Sequence, residues 1–259
     1  MKRRQLLIVV LAFATVSCAS AVSRQSSPND RPSPSTPQVP NQSPSISRDP
    51  ALYKNARAKL EAERVALSSS YQRARTDAEK AEVINRAREW MTKSVNSEIF
   101  PFWYGTPWDF NGTTETPGQG KIACGYFVTT VLQDLGLKVQ RARLAQQASE
   151  NIILSLTSNT HIKRFRQKPI GDFVQAVENW GPGLYIVGLD IHVGFILNID
   201  GQVHFVHSSY IDPYSVVNER AIESKILAGS RYRVLGKISA DDQFIQRWLL
   251  GENITTRIG

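Results

Sequence analysis

The stretch His192–Ser209, HVGFILNIDGQVHFVHSS, decides the fold. β-branched and aromatic residues crowd both sides of Asp200-Gly201, and Asp-Gly between two such runs is a strong signal for a two-residue hairpin turn. Centring the turn there pairs residues whose numbers sum to 401. His192 then lies opposite Ser209, and Gly194 opposite His207. These four share one face, with His207 diagonal to His192 and a glycine clearing space between them. His204 pairs with Leu197 on the other face. Diagonal neighbours sit about 7 Å apart, within reach of two imidazoles. A four-residue loop would keep this parity, whereas a three-residue loop would reverse it. The register therefore selects His207, not His204, as the partner of His192.

Strand-like runs also cover 184–189 and 231–239. Upstream the period is helical. Phe127, Val128, Val131, Leu132 and Leu135 recur at three- and four-residue spacing from Cys124, with Gly136 placed as a C-terminal cap. Further helices are expected over 141–156, 171–179 and 216–228, and DDQFIQRWLLG (241–251) closes with another. Helices first and an antiparallel sheet after them give an α+β arrangement. Residues 51–95 read as a helical arm, with a loose apolar stripe (Leu52, Ala56, Leu60, Val65, Leu67) and a tighter one (Val83, Ile84, Ala87, Trp90, Met91). Ser68–Ser70 is a candidate division, with Thr76 or Asp77 capping the second half. The arm is expected to pack on the domain; a partner-binding coiled coil is the alternative. IFPFWYGTPWDFNGTTETPGQG (99–120) reads as a long irregular stretch, either functional or a packed cover over a core edge.

The N-terminus, MKRRQLLIVVLAFATVSCAS, joins a basic start to an apolar run too short to span a membrane and to small residues before Cys18. An export signal over 1–18 is expected, with Cys18 as a lipid-bearing N-terminus; plain secretion and an uncleaved anchor are the alternatives. Residues 19–50, rich in Ser, Pro and Gln, cannot bury enough surface to offset their ordering entropy and read as a disordered linker. A domain over 96–250 and a tail over 251–259 complete the organisation. Without Lys2, Arg3 and Arg4 the formal charge falls from +8 to about +5. That suits an anionic envelope polymer, and no aromatic-interleaved basic motif argues for nucleic acid.

Cys124 is then the only thiol of the exported chain and has no partner for an internal disulfide. Pro117, Gly118 and Gly120 break any structure before it, so it stands at a helix start. There unsatisfied N–H groups and the positive dipole end favour a thiolate and could hold an oxyanion. A nucleophilic cysteine needs a base and a group that orients the base. Of four histidines, His161 lies in a polar, basic segment and is expected at the surface, while His192 and His207 converge on one strand-pair face. A zinc site of Cys124, His192 and His207 is the rival use, but no metal-ligand spacing such as Cys-x-x-Cys supports it, and no metal or cofactor is expected. Trp103, Tyr104 and Trp108 are candidates to line a groove.

"IACGYFVTTVL" (122–132), "HVGFIL" and "VHSS" together resemble the NlpC-type cell-wall cysteine peptidases, a branch of the papain-like superfamily. The resemblance covers roughly residues 100–210. It implies a papain-like domain in which Cys124 is the nucleophile, His192 the base and His207 the third member. "PFWYGT" (101–106) is similar to the family's aromatic-Gly stretch, which makes Tyr104, or Trp103 on a shifted alignment, a candidate for substrate or oxyanion binding. Gln119 is the candidate oxyanion donor by analogy with papain-like enzymes. The implied activity is hydrolysis of an amide bond in peptidoglycan stem peptides or another cell-envelope peptide, on a protein held to the membrane by its N-terminal lipid. Departures are Ala123-Cys124-Gly125-Tyr126, where the family has Asp-Cys-Ser-Gly, and longer gaps between motifs. Alternatives are a transglutaminase-like or amidase-type (CHAP) activity, and a non-catalytic envelope-binding module on the same fold.

Overall fold

A computed structural model describes residues 49–258, which fall within one compact unit. The signal, Cys18 and nearly all of the linker lie outside the described residues. Among those described, no helix is long and apolar enough to cross a membrane.

The arm is two helices, α1 (Pro50–Arg73) and α2 (Asp77–Ser94). The break falls at 74–76 rather than at Ser68–Ser70, which continue α1. Isolated serines in a helix cost little, whereas Thr76 and Glu79 form a reciprocal capping box that starts α2. The tighter stripe is buried as expected, but in the looser one Leu52 and Val65 are exposed, and Tyr53 and Tyr71 are buried instead. A π turn (Val95–Ile99) and the short α3 (Phe100–Trp103) follow, where an irregular stretch was expected. Pro101 accounts for the widening, since its ring would meet the carbonyl of residue 97 in an unbroken α-helix.

Cys124–Asp134 forms α4, and Leu135 ends it with Gly136 at φ 91° behind. Phe127, Val128, Val131 and Leu132 are fully buried along one side. Each contributes roughly 1.5–3 kcal/mol of burial before ordering costs. The expected helix 141–156 is split into α5 (Arg141–Ala145) and α6 (Ser149–Leu156), with the two-residue strand β1 (Lys138–Val139) before them. Next come β2 (Ile162–Arg166), read from sequence only as a polar segment, and α7 (Ile170–Trp180).

Strands β3 (Gly183–Leu189), β4 (Val193–Ile199) and β5 (Gln202–Ser208) follow as expected. Residues 216–228 are not one helix: β6 (Val216–Arg220) leads through a 3₁₀ turn into α8 (Lys225–Gly229). Then come β7 (Tyr232–Gly236), α9 (Asp242–Leu250) and β8 (Asn253–Ile254). The last strand pairs in parallel with β1, Lys138 with Asn253 and Val139 with Ile254.

The main sheet runs β2-β7-β3-β4-β5-β6 and is antiparallel throughout. Val193, Phe195 and Leu197 of β4 join the core with α4, α6, α9 and the arm; Ile196, Val203 and Phe205 join a second core under α7 and α8. The molecule is thus an antiparallel sheet with helices on both faces, in the α+β class. The arm is tied down by Trp90 stacked on Trp248 at 5.8 Å and by Arg64 donating to the Trp248 and Leu249 carbonyls. Deeper, Tyr53 donates to Asp134, Arg57 pairs with the same carboxylate at 2.8 Å, and Trp103 donates to the Tyr53 hydroxyl at 2.8 Å.

Candidate active site

The β4–β5 hairpin has the register expected from the sequence: Leu197 pairs with His204, Ile196 with Phe205, and Phe195 with Val206. Asp200 and Gly201 both take positive φ (51° and 74°), as a two-residue type I′ turn requires. A Cβ on Gly194 would lie 2.7 Å from the His207 Cβ, so the glycine is what lets His207 stand beside β4.

His192 and His207 are both buried, and His192 Nε2 lies 2.9 Å from His207 Nδ1. Phe205 stacks on His207 at 3.9 Å, and Tyr210 meets the His192 ring edge-on at 5.1 Å. The other nitrogen of His207, Nε2, lies 3.2 Å from Glu219 Oε1 on β6. Those contacts fix the protons. A carboxylate only accepts, so His207 carries its proton on Nε2 and accepts at Nδ1. His192 must then donate from Nε2, which leaves Nδ1 as a bare lone pair. That Nδ1 is buried and has no partner among the described residues. His204 takes no part, since it bonds Asn218 and Gln202 on the opposite face.

Cys124 opens α4 behind Ala123, which supplies no side-chain cap. The backbone N–H groups of Val193, Gly125 and Cys124 lie close enough to its sulfur to pull the thiol's pKa down. It thus sits at the start of β4, one residue from His192. Sulfur and His192 line one cleft of about 700 Å³ with Trp108, Phe110, Tyr126 and Tyr210. No hydrogen bond joins Sγ to Nδ1 in this structure. A cysteine–histidine pair often closes up only when substrate arrives. Gly125 has its own reason to be glycine, because a Cβ there would collide with the Ala145 carbonyl oxygen of α5. That close approach leaves no room for the serine which the resembled family carries after its cysteine.

The electrostatics correct one expectation. Burial lifts the Cys124 thiol above its ordinary value, and the three N–H groups oppose this without overcoming it. Burial, and then His207, hold His192 well below its ordinary value. Burial also lowers His207, against the pull of Glu219. For Glu219 burial pushes upward, but the hydrogen bonds from His207 and Ser224 hold the carboxyl below its usual range. Both shifts favour a neutral thiol and a neutral imidazole over a thiolate with an imidazolium.

Three sequence candidates lie elsewhere. Trp103 is fully buried in the arm junction, where the apolar stripe of α3 faces inward. The Tyr104 hydroxyl accepts from Asn218, whose amide oxygen meets His204, and the residue packs against the core on the arm side of the sheet and does not line the cleft. Gln119 is exposed in the turn before Lys121, its carbonyl bound by Thr114, and also stays outside the cleft. Trp108 does line it, held against Tyr210 and Tyr214. Tyr210 also lines the cleft, and its hydroxyl is pushed up by burial and then by the nearby Cys124. Tyr210 and Glu219 were not foreseen: one lies in an aperiodic loop, the other in a segment read as helix.

Among the described residues no cluster of three His, Cys, Asp or Glu side chains is placed to hold a metal. No family model matches the chain, and neither a curated protein nor a solved structure is found to be similar to it.

Proposed function

We propose that the protein is a cysteine hydrolase with a papain-like arrangement, cleaving an amide bond in peptidoglycan stem peptides or a related cell-envelope peptide. The observation that carries this reading is the relay Glu219–His207–His192, which ends on an acceptor nitrogen with no partner among the described residues, in the same cleft as the Cys124 thiol. In the proposed cycle the Cys124 sulfur attacks the substrate carbonyl while its proton passes to His192 Nδ1. The resulting imidazolium is stabilised through His207 by the Glu219 charge. The oxyanion lies against the N–H groups at the uncapped start of α4. His192 returns the proton to the leaving amine, giving a thioester; water then attacks, with Nδ1 taking its proton, and the acid and free thiol are released. Export through residues 1–18 and lipidation at Cys18 would deliver the domain to such a substrate.

The same cleft also supports a second reading, a non-catalytic module that binds envelope peptides. The raised thiol and the aromatic walls favour it. Incubation with peptidoglycan fragments, followed by mass analysis, separates the two. The hydrolase reading expects new amine and carboxyl termini that Cys124→Ala abolishes; retention of intact fragments on the protein, without cleavage, favours the binding module.

A further inference from the structure

The composition of the cleft carries information about its substrate that the nucleophile does not. Among the described residues that line it there is no Asp, Glu, Lys or Arg. Aromatic and aliphatic side chains dominate, and the rim residues Phe110 and Ile191 are 79% and 78% exposed. Of the charges nearby, Arg141, Asp109 and Asp190 are turned to other partners, while Lys225 lines an adjoining pocket that shares Ile191, His192 and Tyr210. Arg141 binds Glu115 at 3.2 Å, the Thr113 and Thr114 carbonyls and the Thr130 hydroxyl, while its guanidinium lies 4.9 Å from the Tyr126 ring centre. Asp109 pairs with Lys121 at 3.0 Å, and Asp190 accepts from Ser230 and from the Arg231 N–H. An ionised group brought against these walls would lose water and gain no counter-charge.

We infer that the acyl group delivered to Cys124 is uncharged: an alanyl-type, sugar-linked or otherwise neutral acyl chain, rather than one with a free carboxylate or ammonium beside the scissile carbonyl. This rests on the reading of Cys124 as the nucleophile. Within the envelope polymer it singles out bonds whose carbonyl comes from a neutral unit and disfavours those formed by the acidic or diamino residues of the stem. The pendant Gln146, which donates to the Tyr126 hydroxyl at 3.3 Å from the cleft wall, is the position at which this preference can be altered.

The test uses two chloromethyl ketones on the full chain, one built on acyl-alanine and one on acyl-aspartate. In each, the Cys124 sulfur displaces chloride, one S–C bond replaces one C–Cl bond, and the thiol proton leaves through His192. Intact-mass rates are divided by each probe's rate with free cysteine, which removes differences in intrinsic reactivity. The neutral probe is expected to label Cys124 about 30-fold faster or more, the discrimination imposed by leaving an ion unpaired in a half-open apolar cleft. Gln146→Arg should raise the aspartyl rate about 5- to 10-fold relative to the alanyl rate. Equal labelling by both probes, or faster aspartyl labelling, overturns this inference and leaves the nucleophile reading intact. Failure of both probes to label Cys124, with the free-cysteine control reacting, overturns the nucleophile reading and this inference together.

Discussion

Replacing Glu219 by alanine tests the tautomer argument most sharply. Its carboxylate lies 3.2 Å from His207 Nε2 and is 34% exposed in its side chain. A hydrogen bond to a charged group is worth about 1.5–3 kcal/mol, and partial exposure reduces that to about 1–2 here. Without the carboxylate, His207 is free to place its proton on Nδ1, where it would push the His192 proton onto the nitrogen that must act as base. At about 1.4 kcal/mol per tenfold, Glu219→Ala should slow Cys124 labelling by the acyl-alanine chloromethyl ketone about 5- to 30-fold. Glu219→Gln keeps an acceptor oxygen but loses the charge, and should retain at least about a third of the rate. A purely structural role would not move a tautomer, so ¹⁵N spectra of the histidines supply the second readout. Glu219→Ala should give His192 a protonated Nδ1 population, which the wild type and Glu219→Gln lack. An unchanged tautomer in the alanine variant with a rate within about twofold of wild type would refute the reasoning.

Other expectations follow from the same geometry. His204→Ala should change labelling less than about twofold while His207→Ala lowers it at least about tenfold, because only His207 touches His192; equal losses would defeat the register assignment. The Cys124 thiol, raised by burial, should be alkylated by iodoacetamide with a midpoint above the ordinary value of about 8.5, and a midpoint near 6 would show a preformed thiolate. His192 and His207 are lowered in the folded chain, so on acidification the unfolded chain takes up protons first. Their contribution is complete above about pH 6.5 and is lost below it, so Tm should fall between pH 7.5 and 5.5, and fall less in His207→Gln. Asp134, raised to about 6, acts in the opposite sense and is common to both proteins. Asp134→Ala would strip the buried Tyr53 hydroxyl and half-exposed Arg57 of their acceptor, costing about 2 kcal/mol and lowering Tm by about 4–8 °C.

Where local chemistry dictates conformation, the fold was legible in the sequence. Asp200-Gly201 supplies the two positive φ values of the turn, and with the turn comes the register that brings His192 to His207. Thr76 with Glu79 marks the start of α2, and Gly136 the end of α4, for equally local reasons. What escaped was decided by tertiary partners. Val216–Arg220 is only five residues long and becomes a strand because β5 offers its open edge, so Glu219 could not be placed on the histidine face beforehand. Trp103 and Tyr104 sit side by side on a helix end, and the arm, not the local pattern, draws one fully into the core and leaves the other at its edge, bonded to Asn218 of β6. Tyr210 enters the cleft from a loop without period, which is held by backbone bonds between 105–108 and 214–216. The thiol's protonation was misjudged because the helix start argues for a lowered value and only the packed structure shows that burial outweighs it.

The claim that an acyl group passes through the sulfur is tested most directly by acid-quenched mass spectrometry after mixing the protein with an activated neutral acyl ester. The account predicts one acyl mass on the peptide containing Cys124, absent in Cys124→Ala and strongly diminished in His192→Ala. Ester hydrolysis that proceeds undiminished in Cys124→Ala, or with no acyl mass ever found on that peptide, would contradict it.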